Sequence, residues 1–87
     1  MKKLLISIFD KKAESWSFPC QADTKATALR MFADLVSDQR NLVGQHPEDF
    51  DLFIVGSFSL SNGALVVPQS PEHLANGKDL VSNEVRN

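Results

Sequence analysis

The sequence holds one cysteine, Cys20, one tryptophan, Trp16, and no tyrosine among its 87 residues. A lone cysteine cannot close an intrachain disulfide, and no small-residue cleavage site follows the opening Met-Lys-Lys-Leu-Leu-Ile-Ser-Ile-Phe, so the chain reads as a protein of a reducing compartment. Long apolar runs are missing too. The first stops at Asp10, far short of the roughly 20 residues a membrane-crossing helix needs, so no membrane partner is expected. Neither sign of charge dominates at a formal −2, and there is no arginine cluster, which excludes strong electrostatic binding of nucleic acid at physiological salt. His46, His73 and Cys20 are the soft metal ligands, and their spacings fit no zinc pattern. Gly56-Ser57-Phe58-Ser59 lacks the second glycine of a nucleophile elbow. Glu48, Asp49 and Asp51 share one short loop with no partner to set their pKa values apart, so turn capping explains them. The expectation is a non-enzymatic protein with no metal and no cofactor.

What is present is a foldable pattern. Two apolar runs meet at Asn62-Gly63, a dipeptide suited to the positive-φ pair of a two-residue type I′ turn. That turn would place Ser61 opposite Ala64, Leu60 opposite Leu65, Ser59 opposite Val66 and Phe58 opposite Val67. Alternation then puts Leu52, Ile54, Phe58, Leu60, Leu65 and Val67 on a core face, with Gly56 in the same row marking a close crossing or a bulge. Upstream, Leu4, Ile6 and Ile8 alternate with Leu5, Ser7 and Phe9, a strand apolar on both sides and therefore central or covered. In the next strand Trp16, Phe18, Cys20 and Ala22 share one face, and Pro19 demands an edge or a bulge.

Asp23-Thr24 offers an N-cap, and Ala28, Leu29, Phe32, Leu35 and Val36 form one face of a helix from about Lys25 to Gln39. Asn41 to Phe50 reads as a loop with a helical turn begun by Pro47, and Pro71 to Ala75 as one short helical turn. The order strand, strand, helix, strand, strand predicts an α+β domain over residues 1–75, a small antiparallel β-sheet with one α-helix packed on one face. Residues 76–87 read as a poorly ordered polar C-terminal tail.

Two surfaces stand out. Lys2, Lys3, Lys11, Lys12, Trp16, Phe18, Lys25 and Arg30 combine cations with aromatic rings, the pairing that holds single-stranded nucleic acid. The same residues also fit a plainer reading, with Trp16 and Phe18 in the core and the lysines as ordinary turn residues. The lysines bracket the first strand whereas Glu48, Asp49 and Asp51 precede the hairpin, so the two ends of the sheet are expected to differ in potential. No charge at all occurs from Leu52 to Pro71, and Phe53, Val55, Ser57, Ser59 and Val66 fall on the hairpin's second face. An apolar face of that kind needs a cover, and a homodimer is expected to supply it unless Leu74, Leu80 and Val81 fold back across it.

The ordered set Phe32-Ala33-Asp34, Gly44, His46-Pro47-Glu48-Asp49-Phe50, Leu52, Gly56-Ser57-Phe58 and Asn62-Gly63, with Phe9-Asp10 closing the first strand, resembles the small nonstructural protein of gokushoviruses. These are microviruses with circular single-stranded DNA genomes. The resemblance covers about residues 3 to 68, and Ser59-Leu60-Ser61 departs from it where acidic residues would be expected. It implies a viral accessory protein of the host bacterial cytoplasm, outside the virion, acting in genome replication or in the switch to single-strand synthesis. The partner so implied is single-stranded DNA; the alternative is a host or viral replication or assembly protein, with no DNA contact.

Overall fold

The structure, a computed structural model, describes residues 1–81. Strand β1 (Lys2–Asp10) runs through the centre of a single antiparallel sheet. On one side it pairs with two short strands in succession, β2 (Ser15–Trp16) and β3 (Cys20–Ala22). On the other lies β4 (Phe50–Ser59), whose outer side is shared by β5 (Leu65–Val66) and β6 (Glu72–Asn76). The expected α+β architecture is what the chain adopts, with β1 central because its two apolar faces are both covered by neighbouring chain or side chains.

Helix α1 (Lys25–Val36) begins where Thr24 Oγ1 accepts the Thr27 N–H at 3.1 Å, the cap expected from the sequence. It buries Ala28, Phe32 and Val36 against Ile6, Ala22, Phe50, Leu52, Ile54 and Ala75. The helix stops at Val36, three residues short of Gln39, because Asp38 caps Arg40 N–H and Asn41 starts a new turn, α2 (Leu42–Gln45). The expected turn at Pro47 is present as a 3₁₀ helix, Pro47–Asp49.

Several expectations are corrected by single-residue irregularities. Pairing passes from Leu5–Gly56 to Ile6–Ile54, so Val55 is an extra residue in β4. A bulge reverses alternation: Leu52 and Ile54 face the helix, but beyond Val55 it is Ser57, opposite the core-packed Leu4, that does so. Phe58, Leu60, Leu65 and Val67 therefore leave the core, at 38%, 51%, 58% and 64% exposure. The five residues Phe53, Val55, Ser57, Ser59 and Val66 do not share a face either. Phe53 pairs with Ser7 on one side of the sheet, Val55 is the bulge, and Ser57 with its partner Val66 lies on the other.

The hairpin closes by a four-residue loop rather than a two-residue one, with Ser57 opposite Val66 and Phe58 opposite Leu65. Only Gly63 takes positive φ, at 75°, so the type I′ requirement for two such residues is unmet. Ser59 Oγ accepts the Ser61 and Asn62 N–H groups, and Asn62 Oδ1 accepts that of Ala64, which together hold the wider loop. The register moves by two residues, so the grouping of side chains within the hairpin survives the change.

Pro71–Ala75 is not helical. Residues Glu72–Asn76 pair with Asp51–Ile54, because joining an open edge of β4 satisfies a row of backbone groups that one helical turn would leave in water. Order also extends beyond residue 75, since Gly77–Leu80 makes a 3₁₀ turn and Leu80 packs on the core. The rest of the expected tail, residues 82–87, lies outside the described residues.

Candidate nucleic-acid interface

The helix covers one face of the sheet, and the other face carries a row of aromatic side chains. Phe9 and Trp16 are cross-strand partners with ring centroids 4.8 Å apart. Trp16 meets Phe53 at 4.9 Å, and Phe53 meets the imidazole of His73 edge-on at 5.1 Å. The four come from β2, β1, β4 and β6, one from each strand position across the sheet.

A second bulge puts Trp16 there. Phe9 pairs with Trp16 but Ile6 with Cys20, so Ser17, Phe18 and Pro19 span one residue more than β1 offers opposite them. Ser17 anchors this bulge: its N–H donates to Ile8 O at 2.8 Å, its Oγ accepts the Ile8 N–H at 2.9 Å, and its carbonyl accepts from Ser7 Oγ at 2.7 Å. Trp16 and Ala22 therefore lie on opposite faces, correcting the single row expected for Trp16, Phe18, Cys20 and Ala22. Ala22 is buried, Trp16 is 46% exposed and Phe18, carried out on the bulge, is 94% exposed. Neither aromatic residue belongs to the core.

The cations are dispersed. Lys3 pairs with Asp23, Lys25 with Glu72 at 3.0 Å, and Lys11 with Asp51 at 3.6 Å. Arg30 stands on the solvent side of α1, on the layer opposite the aromatic row, while Lys2 and Lys12 lie near opposite ends of β1. Antiparallel pairing of β1 with β4 brings the Lys11 end of one strand to the Asp51 end of the other, so the expected separation of positive from negative ends does not occur. Of the eight residues singled out, the structure places Trp16 on the open face with Lys11 beside it and scatters the others. Phe9, Phe53 and His73 complete the row; their membership depends on register, which alternation alone does not give.

Asp51 closes the row at its acidic end. Its carboxylate accepts from Asn76 Nδ2 at 3.0 Å and lies 3.1 Å from His73 Nε2, with the Lys11 ammonium beyond. Burial pushes the Asp51 carboxyl up, but the hydrogen bonds from Asn76 and His73 and the charge of Lys11 outweigh it and hold the pKa below the usual value. A depressed folded-state pKa stabilises the fold above the unfolded value of about 3.9, and that contribution is lost as pH falls through the folded value. Urea titrations should therefore show the native protein losing midpoint as pH drops below about 4, with Asp51→Asn less stable at pH 7 and less responsive to acid. An acid response identical in the two proteins would show that Asp51 is not the linked group.

His46, Glu48 and Asp49 form a separate cluster, with one potential ligand atom from each within 4.8 Å of the others. The 3₁₀ turn at Pro47 gathers them, which spacing rules for zinc do not anticipate. No described helix is long and apolar enough to cross a membrane.

A family model described as Phage ORF5 protein matches residues 3–80. The chain is 39% identical over 69 residues to Protein ORF5 of Chlamydia phage 1, covering 72% of this chain and 70% of that protein. No solved structure matches.

Proposed function

Since the chain belongs to the Phage ORF5 protein family, and so is a phage accessory protein, we propose that it is a non-enzymatic one that binds single-stranded DNA weakly on the open face of its sheet. The supporting observation is Trp16, half-exposed and flanked by Phe9 and Phe53 on a face that no other described element covers. Bases present flat apolar rings, and an exposed indole in a row of aromatics offers a stacking platform that accepts any base. With three lysines already paired to carboxylates, few cations remain for phosphates, so the affinity is low and the sequence preference slight. Such binding suits a protein acting on exposed single strands in the host bacterial cytoplasm, during genome replication or the switch to single-strand synthesis.

Trp16 emission should be quenched when oligothymidylate is added at about 50 mM salt, with the signal falling as salt rises by roughly 0.7 log units of affinity per log unit of salt for each phosphate engaged. Trp16→Ala should abolish most of the binding, and Lys12→Ala should lower both affinity and salt slope. The paired lysines favour a second reading, in which the same apolar face receives a host or viral replication or assembly protein. A folded protein that binds no oligonucleotide at about 50 mM salt would decide for that protein partner.

A further inference from the structure

The far half of the β4–β5 hairpin forms an arm that continues past the helix, in a molecule measuring 45 × 29 × 20 Å along its principal axes. Five large apolar side chains, Phe58, Leu60, Leu65, Val66 and Val67, stand 38% to 64% exposed on it, from both faces and the loop tip. We propose that this arm is a self-association surface, on which a second copy of the chain seats its own arm about a two-fold axis.

Charge selects the occupant. From Leu52 to Pro71 there is no charged residue, so the arm offers nothing by which a partner of opposite charge would recognise it. A two-fold contact sets each residue's surroundings against their own image, and a patch carrying one sign of charge repels its copy, whereas this one does not. Leu74 and Leu80, the chain's own candidates to cover the hairpin, pack instead on the helix-side core. The sheet's two edges also differ. The β2–β3 edge is interrupted by Pro19 and its bulge, while β5 carries neither charge nor proline within it, an edge that proteins leave in this state when something covers it. The projection of the arm lets two arms lie side by side without the helix-bearing bodies colliding. The exposed side chains supply roughly half of the ~800 Å² per partner of a standard interface, so the dimer should be weak and concentration-dependent.

Sedimentation velocity on the full chain tests this. The native protein should move from monomer to dimer between about 1 and 100 µM, the range of a small interface. Leu60→Lys with Val66→Lys, both exposed positions away from the aromatic row, should sediment as monomer throughout, with unchanged circular dichroism. Should that pair disturb the fold, Leu60→Lys alone, at the loop tip, is expected to weaken the dimer at least fivefold. A native protein monomeric at 100 µM, or a dimer undiminished by folded arm variants, overturns the proposal. So does a dimer broken by Trp16→Ala with the arm intact, which would transfer the contact to the aromatic face. Oligonucleotide binding by the monomeric variant separates this outcome from that of the DNA reading.

Discussion

Replacing Phe32 with alanine should cost about 3–5 kcal/mol of stability, the largest loss expected from any single side-chain truncation in this fold. Phe32 and Leu52 are the largest side chains wholly removed from solvent, and Phe32 is the one that α1 inserts between β1 and β4. Its ring already borders an apolar cleft of about 60 Å³ lined by Ile6, Ile8, Leu52, Met31 and Leu35. Truncation would merge the vacated space with that cleft, and Met31 and Leu35, more than a third exposed, hold too little of the surrounding wall to collapse into it. Domains of this size are stable by roughly 4–13 kcal/mol in total, so the variant should be partly unfolded at room temperature. Urea denaturation followed by circular dichroism measures this, and a loss under about 1 kcal/mol would contradict the helix docking described above.

Gly44→Ala should also be strongly destabilising, by about 2 kcal/mol or more. Local propensity predicts the opposite sign, since alanine is favoured over glycine by up to ~1 kcal/mol inside a helix, and Gly44 lies within α2. The reason for the reversal is proximity. A Cβ at this position would stand 2.0 Å from the carbonyl oxygen of Asp38 and 2.6 Å from its carbon, and both are backbone atoms that no rotamer change can move. The turn cannot drift outward cheaply either, because Asn41 Oδ1 accepts the Val43 and Gly44 N–H groups and Gln39 Nε2 donates to Gly44 O at 3.0 Å. Thermal melts decide the sign: an equal or higher midpoint for Gly44→Ala would mean that α2 can separate from the end of α1 without cost.

The parts of this fold legible in the sequence are those set by uninterrupted periodicity. Thr24 announces the helix start, Ala28, Phe32 and Val36 repeat at helical spacing, and Leu4, Ile6 and Ile8 alternate on the covered side of β1. The illegible parts follow from two inserted residues. Val55 and the Ser17–Pro19 segment each add one residue against β1, and each reverses which side chains face the helix from that point on. Gly56 and Pro19 hint at irregularity without fixing its position, so Phe58 and Leu65 were assigned inward and Trp16 was grouped with Ala22. The β6 strand was hidden for a different reason: Glu72, Leu74 and Ala75 favour helix locally, and pairing with β4 overrides them. The aromatic row is the sum of these effects. Its four members are distant in sequence and become neighbours only once both bulges and the β6 pairing are in place.

The central position of β1 has a consequence for how the chain acquires its structure. One flank of β1 is filled by β2 and β3, which follow within a short loop, but the other waits for β4, with Lys2 finding its place opposite Ser59. Closing so long a loop costs entropy before any pairing repays it, so the β1–β4 ladder is the slow step of folding and the local β1–β2–β3 meander the fast one. During synthesis β1 therefore spends the time needed to make α1 and the following turns with one edge unpaired, guarded by Lys2 and Lys3 at its start and Asp10 at its end.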